Sequence, residues 1–580
     1  MRSLLVYLKD YKKESVLSPL FKLLEASFEL LVPLVMAAII DVGIADNDTG
    51  YILRMCLIMV ALGVIGLTCS ITAQFFAAKA AVGFATGLRH ALFGHIQKLS
   101  FAQMDETGTA TLITRMTSDV NQAQSGVNMV LRLFLRSPFI VVGAMVMAFT
   151  IDVKSALVFA VTIPILSVIV FTIMAVTIPL YKKVQAYLDR VLGITRENLT
   201  GARVIRAFHQ EAGETAKFEG SNQTLEKMQV YVGRISALMN PMTYIVINAA
   251  IVVLIYVGTL RVEDGILTQG QVVALVNYMS QILVELIKLA NLIVTVTKAV
   301  ACGNRIEGIL SLEPGLPEHE SKKQKNAGEG TDTPIVLFRQ VSLRYYAGGE
   351  EALTDIDFKV QRGQTIGILG GTGAGKSSLV NAIPRFYDIT KGSIRIDGRD
   401  VREYPLQELR DKIGMVMQKA VLFKGTIREN LLWGDQKATD EELWQALETA
   451  QAREFVEEKD GRLDAMIKQE GRNLSGGQRQ RLAIARALVK RPEILILDDS
   501  ASALDYATDA RLRKAIREMP GETTVFIVSQ RASSVQYADF ILVLEDGRIA
   551  GSGTHEELLQ TSEIYQEIYY SQFEKKTQQN

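Results

Sequence analysis

One stretch decides how the C-terminal half of this chain folds: Thr365-Ile366-Gly367-Ile368-Leu369-Gly370-Gly371-Thr372-Gly373-Ala374-Gly375-Lys376-Ser377-Ser378. Its apolar start predicts a buried strand, and a helical pattern begins at Lys376. A glycine-rich turn between strand and helix lets backbone N–H groups point inward, so the stretch predicts a phosphate site. Lys376 is placed to reach the β- and γ-phosphates of a nucleotide, and Ser377 to ligate magnesium. We assign to nucleotide binding the residues Gly370, Gly371, Thr372, Gly373, Ala374, Gly375, Lys376, Ser377 and Ser378.

A second apolar strand, Ile494-Leu495-Ile496-Leu497, ends at Asp498. Ligand sites in α/β domains lie at the carboxyl ends of parallel strands, so Asp498 is expected to hold the magnesium shell. Further β-branched runs at residues 524–528 and 540–544 alternate with helical patterns. This rhythm predicts an α/β domain with a largely parallel sheet.

Between these strands stands a second glycine-containing helix start, Leu474-Ser475-Gly476-Gly477-Gln478. Ser475 and the two glycines make a helix N-terminus suited to a phosphate. One nucleotide does not need two such cradles from the same chain. We therefore interpret this one as closing on the γ-phosphate of ATP held by a different chain. The alternative is an ordinary serine N-cap without a ligand.

Six apolar stretches in the N-terminal half are each close to the ~20 residues that a helix needs to cross a bilayer. They lie at residues 16–44, 51–78, 127–150, 156–180, 239–260 and 271–296. The gaps at 79–124 and 181–238 are long and carry many Lys and Arg residues, whereas the other three are short. Because positive charge favours the cytosolic side, the N-terminus, both long loops and the C-terminal half are expected in the cytosol. The predicted architecture is an all-α transmembrane domain of six helices followed by an α/β domain.

Two segments in the long loops, residues 102–109 and 207–215, contain clustered Gly, Asp and Glu and are predicted to form the tips of extended helices. Such tips can reach a soluble domain and transmit force to it; solvated loops without a mechanical role are the alternative. The first 13 residues mix apolar and basic side chains and predict an amphipathic segment at the membrane interface, with a frayed tail as the alternative.

Ionisable residues also lie inside the apolar stretches, where a charge costs about 2.5 to 3.5 kcal/mol on insertion scales. They are Glu25, Glu29, Arg132, Arg136, Glu285 and Lys288. We expect them to pair with one another or to face a water-filled cavity. Glu285 and Lys288 are three residues apart and either neutralise each other or contact a substrate, and the sequence leaves open which of Glu25, Glu285 and Lys288 does so.

Composition sets the domain boundaries and excludes some classes of protein. A segment rich in Pro, Gly, Glu and Lys predicts a linker at residues 313–334, between a transmembrane domain at 1–312 and a nucleotide-binding domain at 335–580. Lys plus Arg and Asp plus Glu both number 63, which argues against a nucleic-acid partner. The cysteines Cys56, Cys69 and Cys302 are widely spaced and predict neither a metal site nor a disulfide framework.

These motifs resemble those of the ATP-binding cassette (ABC) family, and six spans before the cassette resemble its exporter branch. The resemblance implies that residues 474–478 are the ABC signature, with Ser475 and Gly477 acting in hydrolysis of the partner's ATP. It implies that Tyr345, by its spacing preferred over Tyr346, stacks on adenine. It further implies that Gln418 links magnesium and the γ-phosphate to the membrane domain.

By the same resemblance residues 500–505 form the D-loop at the dimer interface. The two helix tips would be coupling helices, the second of which usually docks into the partner's cassette.

Two positions depart from the family pattern. Family members that hydrolyse ATP well carry Glu where this chain has Asp499, and a switch histidine where it has Gln530. Asp is one methylene shorter than the expected general base, which must come within about 2.6 to 3.2 Å of its water or act through a bridging one. Gln530 donates hydrogen bonds but cannot accept and return a proton near neutral pH. The pair predicts a site that binds ATP and hydrolyses it slowly; neutral drift with retained activity is the alternative.

This pair of departures resembles the degenerate-site half of bacterial heterodimeric multidrug exporters. The resemblance implies ATP and Mg²⁺ as cofactors, a second ABC half-transporter as partner, and export of small amphipathic compounds across the bacterial cytoplasmic membrane, in contact with membrane lipid. The alternatives are a homodimeric lipid or peptide exporter and an ATP-gated channel or sensor.

Overall fold

The structure, a computed structural model, describes residues 3–313, 315, 333–346, 348–500 and 502–573. Most of the predicted linker at 313–334 lies outside the described residues. The chain forms two compact units, one of Met1–Lys98 with Thr109–Glu313 and one of Leu99–Gly108 with Pro314–Asn580. The short segment Leu99–Gly108 therefore packs with the C-terminal unit, although it lies far from it in sequence.

Six helical spans in the N-terminal unit are long and apolar enough to cross a membrane, which confirms the predicted six helices. They are Ser3–Ile44, Thr49–Ile96, Thr109–Ile151, Val153–Thr200, Glu211–Glu263 and Gln269–Leu310. Each has at least 42 residues, about twice what a bilayer requires. The charged segments that flank the apolar stretches therefore continue the same helices beyond the membrane, as expected from their helix-compatible composition.

The spans contain several breaks. A 3₁₀ helix at Ser3–Tyr11 precedes the first α-helix, and π-helical turns lie at Ile39–Ile44 and Arg115–Asp119. In chain order the α-helices are α1 (Lys12–Ala38), α2 (Thr49–Ile96), α3 (Phe101–Thr107), α4 (Thr109–Thr114), α5 (Val120–Leu133), α6 (Arg136–Ile151), α7 (Val153–Thr200), α8 (Ala202–Ala207), α9 (Glu211–Ala237), α10 (Met239–Glu263) and α11 (Gln269–Leu310).

The predicted amphipathic N-terminal segment is the 3₁₀ helix, and it packs along α2. Leu4 is 2% exposed and lies in one cluster with Phe84 and Leu88 of α2. Small residues such as Ala73 and Ala77 are fully buried on the same helix and allow α1 to approach closely. Residues Ser3–Tyr11 are thus packed against α2.

The two predicted tips have different outcomes. Residues 102–109 cover α3, which opens with a capping box between Ser100 and Gln103. The second tip lies between α7 and α9 and holds the short helix α8 at Ala202–Ala207, so the predicted window 207–215 overlaps the tip at residues 207–210 and extends beyond it into α9. The acidic residues Glu211 and Glu214 that suggested a turn occupy the first turn of α9, where the helix dipole favours them.

The C-terminal unit contains the predicted α/β fold. Its strands are β1 (Val336–Leu343), β2 (Leu353–Val360), β3 (Thr365–Gly370), β4 (Lys391–Ile396), β5 (Arg399–Asp400), β6 (Ile413–Val416), β7 (Gly425–Thr426), β8 (Met466–Ile467), β9 (Ile494–Asp498), β10 (Thr524–Ser529), β11 (Phe540–Glu545) and β12 (Arg548–Gly553). Its helices are α12 (Lys376–Ala382), α13 (Leu406–Asp411), α14 (Ile427–Leu431), α15 (Asp440–Thr449), α16 (Arg453–Glu457), α17 (Gly476–Val489), α18 (Tyr506–Arg517), α19 (Ala532–Val535), α20 (His555–Thr561) and α21 (Glu563–Gln572).

The main sheet has the strand order β12-β11-β3-β10-β9-β6 and is parallel except for the edge strand β12. An antiparallel sheet of order β2-β1-β4-β5 and a small β7-β8 pair complete the strands of the described residues. Because β3, β10, β9 and β6 are neighbours and run in one direction, the segments that follow them meet at one edge of the sheet. This edge carries the candidate site.

Candidate functional site

The loop between β3 and α12 needs glycine at defined points. Gly373 and Gly375 have φ values of 86° and 92°, in the left-handed region that favours glycine. A Cβ at Gly370 would stand 2.3 Å from the Leu544 carbonyl oxygen, and one at Gly375 would stand 2.8 Å from that of Ala352. The loop therefore has a backbone conformation and a packing that other residues would disturb.

Lys376 starts α12 and is bonded to the loop itself. Its Nζ donates to the carbonyl oxygens of Gly370 at 2.9 Å and Gly371 at 2.6 Å. Burial lowers the pKa of this ammonium group, and the nearby Asp499 and Asp498 oppose that shift. The lysine is thus held at the loop, where its charge is available to an incoming phosphate.

Ser377 and Asp498 meet at the start of α12 and the end of β9. The Ser377 hydroxyl donates to Asp498 Oδ1 at 3.1 Å, and Asp498 is 5% exposed. Burial raises the pKa of Asp498, with the neighbouring Asp499 carboxylate adding to the rise. A hydroxyl and a carboxylate are the hard oxygen donors that Mg²⁺ prefers, so this pair fits the ion.

The described residues contain no group of three or more His, Cys, Asp or Glu side chains suited to a metal. A magnesium ion at Ser377 and Asp498 would therefore need ligands from nucleotide phosphates and water, as is usual for this ion.

Asp499 and Gln418 lie beside this pair. Gln418, two residues after β6, donates from Nε2 to Asp499 Oδ2 at 3.3 Å. Burial also raises the pKa of Asp499, which the Gln418 hydrogen bond and the Lys376 charge partly offset. The structure thus brings the residue at the general-base position next to the residue expected to contact magnesium.

Gln530 follows β10 and is exposed. Its backbone carbonyl accepts a hydrogen bond from Gln572 Nε2 at 2.8 Å, while Gln572 Oε1 accepts from the Ala532 N–H at 2.9 Å. One side chain of the C-terminal helix α21 therefore holds the loop that carries Gln530. The sequence analysis missed Gln572, because it lies 42 residues away and no local pattern links the two.

A cavity of about 340 Å³ joins these residues. It is lined by Tyr345, Ala352, Thr372, Gly373, Ala374, Gly375, Lys376, Ser377, Ser378, Gln418, Asp498, Asp499, Val528 and Gln530. Gly370 and Gly371 flank the lining residues and contribute the carbonyls that hold Lys376. The three segments after β3, β9 and β10 and the residue after β6 thus form one cleft of a size that suits a small ligand.

Tyr345 lines this cleft and Tyr346 does not. The Tyr345 hydroxyl donates to Ser378 Oγ at 2.7 Å, and its ring meets that of Tyr387 edge-on with centroids 4.7 Å apart. Tyr346 is 72% exposed. The aromatic residue chosen by spacing is therefore the one at the cleft, although the structure leaves its contact with adenine a prediction.

The residues 474–478 lie elsewhere, since none of them lines the cleft. Ser475 caps α17 by accepting from the Gln478 N–H at 3.2 Å, and Gln478 Oε1 accepts from the Ser475 N–H at 3.0 Å. A Cβ at Gly477 would stand 3.1 Å from the Ala503 carbonyl oxygen, while Leu474 is buried beneath. Gly476 and Ser475 are exposed, so this helix start presents its N-terminus at the surface of the described chain.

The short helix α3 contacts the cassette within the C-terminal unit. Tyr387 donates to Asp105 Oδ2 at 2.7 Å, and the Phe101 and Phe386 rings lie 4.7 Å apart. The Asp105 carboxylate and burial both raise the pKa of Tyr387, burial being the larger cause. Since Tyr387 also touches Tyr345, a chain of aromatic contacts leads from the cleft to α3.

Five of the six ionisable residues expected in the apolar stretches form ion pairs; the exception is Arg132, which has no ion pair among the described residues and whose Nε is buried without a hydrogen-bond partner. Arg136 lies at the centre, with Nη1 bonded to Glu285 and Nη2 to Glu29, each at 2.7 Å. Lys288 contacts Glu285 at 2.8 Å, and Lys22 contacts Glu25 at 2.5 Å. The predicted pairing of Glu285 with Lys288 is present, but it is part of this larger network, which includes Arg136 and Glu29.

Two models of known protein families match this chain. The family model for the ABC transporter transmembrane region matches residues 15–286, and the model for the ABC transporter matches residues 353–502.

Curated relatives align over nearly the full length. An uncharacterized ABC transporter ATP-binding protein of Mycobacterium tuberculosis is 36% identical over 98% of this chain and 97% of its own. YfiB of Bacillus subtilis, of similar description, is 35% identical over 99% of both chains. YgaD of Bacillus subtilis, described as a putative multidrug export ATP-binding/permease protein, is 32% identical over 98% of both.

Among solved structures, one described as a bacterial Atm1-family ABC exporter with ATP bound superposes with a TM-score of 0.79. The match covers 97% of this chain and 98% of that one at 23% identity, and it shows a shared fold.

Proposed function

This chain belongs to the ABC transporter family as an exporter half with transmembrane and ATP-binding domains, and we propose that it is the slow-site half of a heterodimeric exporter. ABC exporters act as dimers that couple ATP hydrolysis to transport. In this proposal the partner is a different half-transporter, and the two ATP sites of the dimer are unequal.

One observation carries the proposal: Asp499 and Gln530 line the same cleft as the phosphate loop. A general base must reach its water, and the Asp499 carboxylate is both shorter than Glu and hydrogen-bonded to Gln418 at 3.3 Å. Gln530 has no group that titrates near neutral pH. The cleft keeps the groups that hold a nucleotide and lacks those that activate and relay a proton, which favours durable ATP binding.

The helix start at residues 474–478 supports an ATP site that is built by two chains together. Ser475 accepts the hydrogen bond of its own helix cap, and its hydroxyl hydrogen has no acceptor among the described residues. The exposed N–H groups of α17 carry the partial positive charge of a helix N-terminus. Leu474, Ser475, Gly476, Gly477 and Gln478 would therefore close on the γ-phosphate of ATP held by the partner and complete the fast site.

At the chain's own site, Lys376 holds the β- and γ-phosphates and Tyr345 packs on the base. Ser377 and Asp498 would hold Mg²⁺, with Gln418 beside them, and the ion when bound neutralises phosphate charge. Closure of the two cassettes around ATP would move α3 and its counterpart α8. Because ATP bridges the two chains only in the closed state, it favours that state and turns the transport cavity outward.

The remaining assignments follow from the chain's composition. We place the transmembrane domain at residues 1–312, the linker at 313–334 and the cassette at 335–580. The Lys- and Arg-rich long loops favour a cytosolic cassette and N-terminus in the bacterial cytoplasmic membrane. The description of the relative YgaD as a putative multidrug exporter supports small amphipathic compounds as cargo.

The test compares two variants of this chain in the pump assembled with its partner. Asp499→Asn is expected to change ATP turnover by less than about twofold, because hydrolysis at this site is already slow. Ser475→Ala is expected to reduce turnover by about tenfold or more, because it removes a phosphate contact from the fast site. Turnover is measured as phosphate release in proteoliposomes. Equal damage by both variants would contradict the assignment of slow and fast sites.

A further inference from the structure

A cavity of about 350 Å³ lies between α1 and α11, among the residues of the predicted spans 16–44 and 271–296. The α1 side is apolar at Val32, Pro33 and Met36 and also carries Glu29. The α11 side is mostly polar and includes Gln281 and Lys288. A cavity of this size with an apolar body and a few polar groups is typical of a small-ligand site.

Two charged side chains that line this cavity, Glu29 and Lys288, keep hydrogen-bonding atoms that the protein itself does not use. The side chains of Glu29 and Lys288 are 40% and 41% exposed, whereas those of Arg136 and Glu285 are 8% and 3% exposed. Glu29 uses Oε2 for Arg136, and its other oxygen has no partner among the described residues. Lys288 donates to Glu285 alone, which leaves two of its three N–H groups free.

An uncharged acceptor is also unpaired. Gln281 Oε1 is buried without a hydrogen-bond partner in the described part of the chain. A buried amide oxygen without a donor loses its hydrogen bonds to water and gains none in the protein, which costs free energy. A ligand that donates to it would recover that cost.

The charge of the whole network limits which ligand fits. Lys22, Arg136 and Lys288 balance Glu25, Glu29 and Glu285, and contacts of 2.5 to 3.9 Å link Lys22 through Arg136 to Lys288. A net charge inside a membrane is costly, so a neutral network favours a ligand without net charge. A cation would satisfy Glu29 but leave Lys288 without a further partner, and an anion would do the reverse.

We propose that the cavity lined by Glu29 and Lys288 binds the headgroup of a zwitterionic amphiphile. The ligand's cationic group pairs with Glu29 and its anionic group with Lys288, while its apolar part lies against Val32, Pro33 and Met36. This inference rests on the proposed export of amphipathic compounds and names their charge class.

The test uses three radiolabelled probes with one tail: N-dodecyl-N,N-dimethylglycine, dodecyltrimethylammonium and dodecanoate. Their binding to the full chain is measured in dodecyl maltoside micelles, whose uncharged headgroup does not compete for the charged residues. The zwitterion is expected to bind at least about tenfold more tightly than either singly charged probe. Equal affinities for the three probes would overturn the proposal.

Two variants then test which residue pairs with which charged group of the ligand. Glu29→Gln and Lys288→Gln are each expected to weaken zwitterion binding by about tenfold. They should shift the remaining preference in opposite directions, toward dodecanoate for Glu29→Gln and toward dodecyltrimethylammonium for Lys288→Gln. A shift in the same direction, or no shift, would contradict the pairing.

The matched control is Glu14→Gln, which removes the same charge from α1 at a residue that contacts Lys79 at 2.9 Å and does not line the cavity. It should leave all three affinities unchanged. If either cavity variant fails to fold, the headgroup series on the unmodified chain still decides the question. Because the assay involves neither a partner nor hydrolysis, a failed slow-site assignment and a failed headgroup assignment give separate results.

Discussion

Asp499 has a φ of 45°, in the left-handed region that aspartate and asparagine tolerate better than most residues. Its N–H donates to the Val528 carbonyl at 3.0 Å, and its own carbonyl accepts from the Ser502 hydroxyl at 2.8 Å. The backbone is therefore held on both sides. A change from Asp to Glu at this residue is expected to extend the reach of the carboxylate without moving the strand.

Lys376 supplies the first prediction at the scale of single residues. Lys376→Ala is expected to weaken ATP binding at this chain's loop by about 100-fold, because it removes a charge-assisted hydrogen bond to phosphate. Titration of the reconstituted chain with a fluorescent ATP analogue measures the effect. The exposed Lys514→Ala, which removes the same charge from α18, should bind as the unmodified chain does. Unchanged affinity in the Lys376 variant would show that the nucleotide lies elsewhere.

The pKa of Asp498 supplies the second prediction at the scale of single residues. Burial raises this pKa above its usual value of 3.8, so the folded cassette holds the proton more tightly than the unfolded chain. Stability of the nucleotide-free protein therefore falls as the pH rises above about 4 and stays reduced at neutral pH. Asp498→Asn removes this cost. We expect its Tm at pH 7.5 to exceed that of the unmodified chain by on the order of 2 °C.

The difference between the two proteins should shrink as the pH is lowered toward 5, which thermal unfolding without nucleotide can follow. Asp460→Asn, at an exposed turn, is the control and should show no such trend. A gain that grows on acidification would mean that the sign of the shift is wrong.

At the scale of elements, the helix α3 provides a prediction about the coupling of ATP binding to substrate transport. Phe101→Ala removes a ring that lies 4.7 Å from Phe386, while the cleft keeps all its lining residues. Substrate transport by the assembled pump should fall by about tenfold, with ATP affinity within about twofold of normal. Glu106→Ala, at an exposed residue of the same helix, should preserve both. Loss of ATP binding together with transport would instead indicate a damaged cassette.

Several elements could be predicted because their sequence signal is local. The parallel strands β3, β9, β10 and β11 are apolar, β-branched runs that are buried on both faces, and such runs stand out in a sequence. The antiparallel sheet of β1, β2, β4 and β5 was not predicted. Its strands alternate buried and exposed residues or are very short, and their pairing joins segments with no common pattern.

The second predicted tip shows that residue composition alone does not distinguish a turn from the start of a helix. Clustered glycine and acidic residues indicate a turn, but they also suit the first turn of a helix, and at Glu211 and Glu214 the second possibility holds. The contact of Gln572 with the Gln530 loop had no sequence signal at all, since it depends on where α21 packs.

At the scale of the whole molecule, the site residues could be predicted together because one rule of α/β folds collects them. The loop after β3, Asp498 at the end of β9, Gln530 after β10 and Gln418 after β6 lie at the carboxyl ends of four adjacent parallel strands, so their grouping required only the strand order. The arrangement of the charged residues in the membrane unit could be predicted only in part. Their pairing was expected from the cost of an isolated charge, but the position of Arg136 between Glu29 and Glu285 depends on how three helices pack.

The separation of cleft and signature is the feature of the whole chain that matters most for its action. The described residues form a cleft that contains the phosphate loop and, apart from it, the exposed helix start at residues 474–478. In the proposed function both are used only when two cassettes meet, and the partner decides whether hydrolysis is fast. The purified chain without its partner is therefore expected to bind ATP and to hydrolyse it slowly.

The ATPase rate of the purified chain tests this statement most directly, measured in lipid nanodiscs that hold two copies, so that each signature can face the cleft of the other copy. The double variant Asp499→Glu, Gln530→His is measured beside it in the same way. The account predicts a rate near background for the unmodified chain and at least about a tenfold higher rate for the double variant, in which the water-activating groups are restored. Brisk hydrolysis by the unmodified chain alone, equal to that of the double variant, would contradict it.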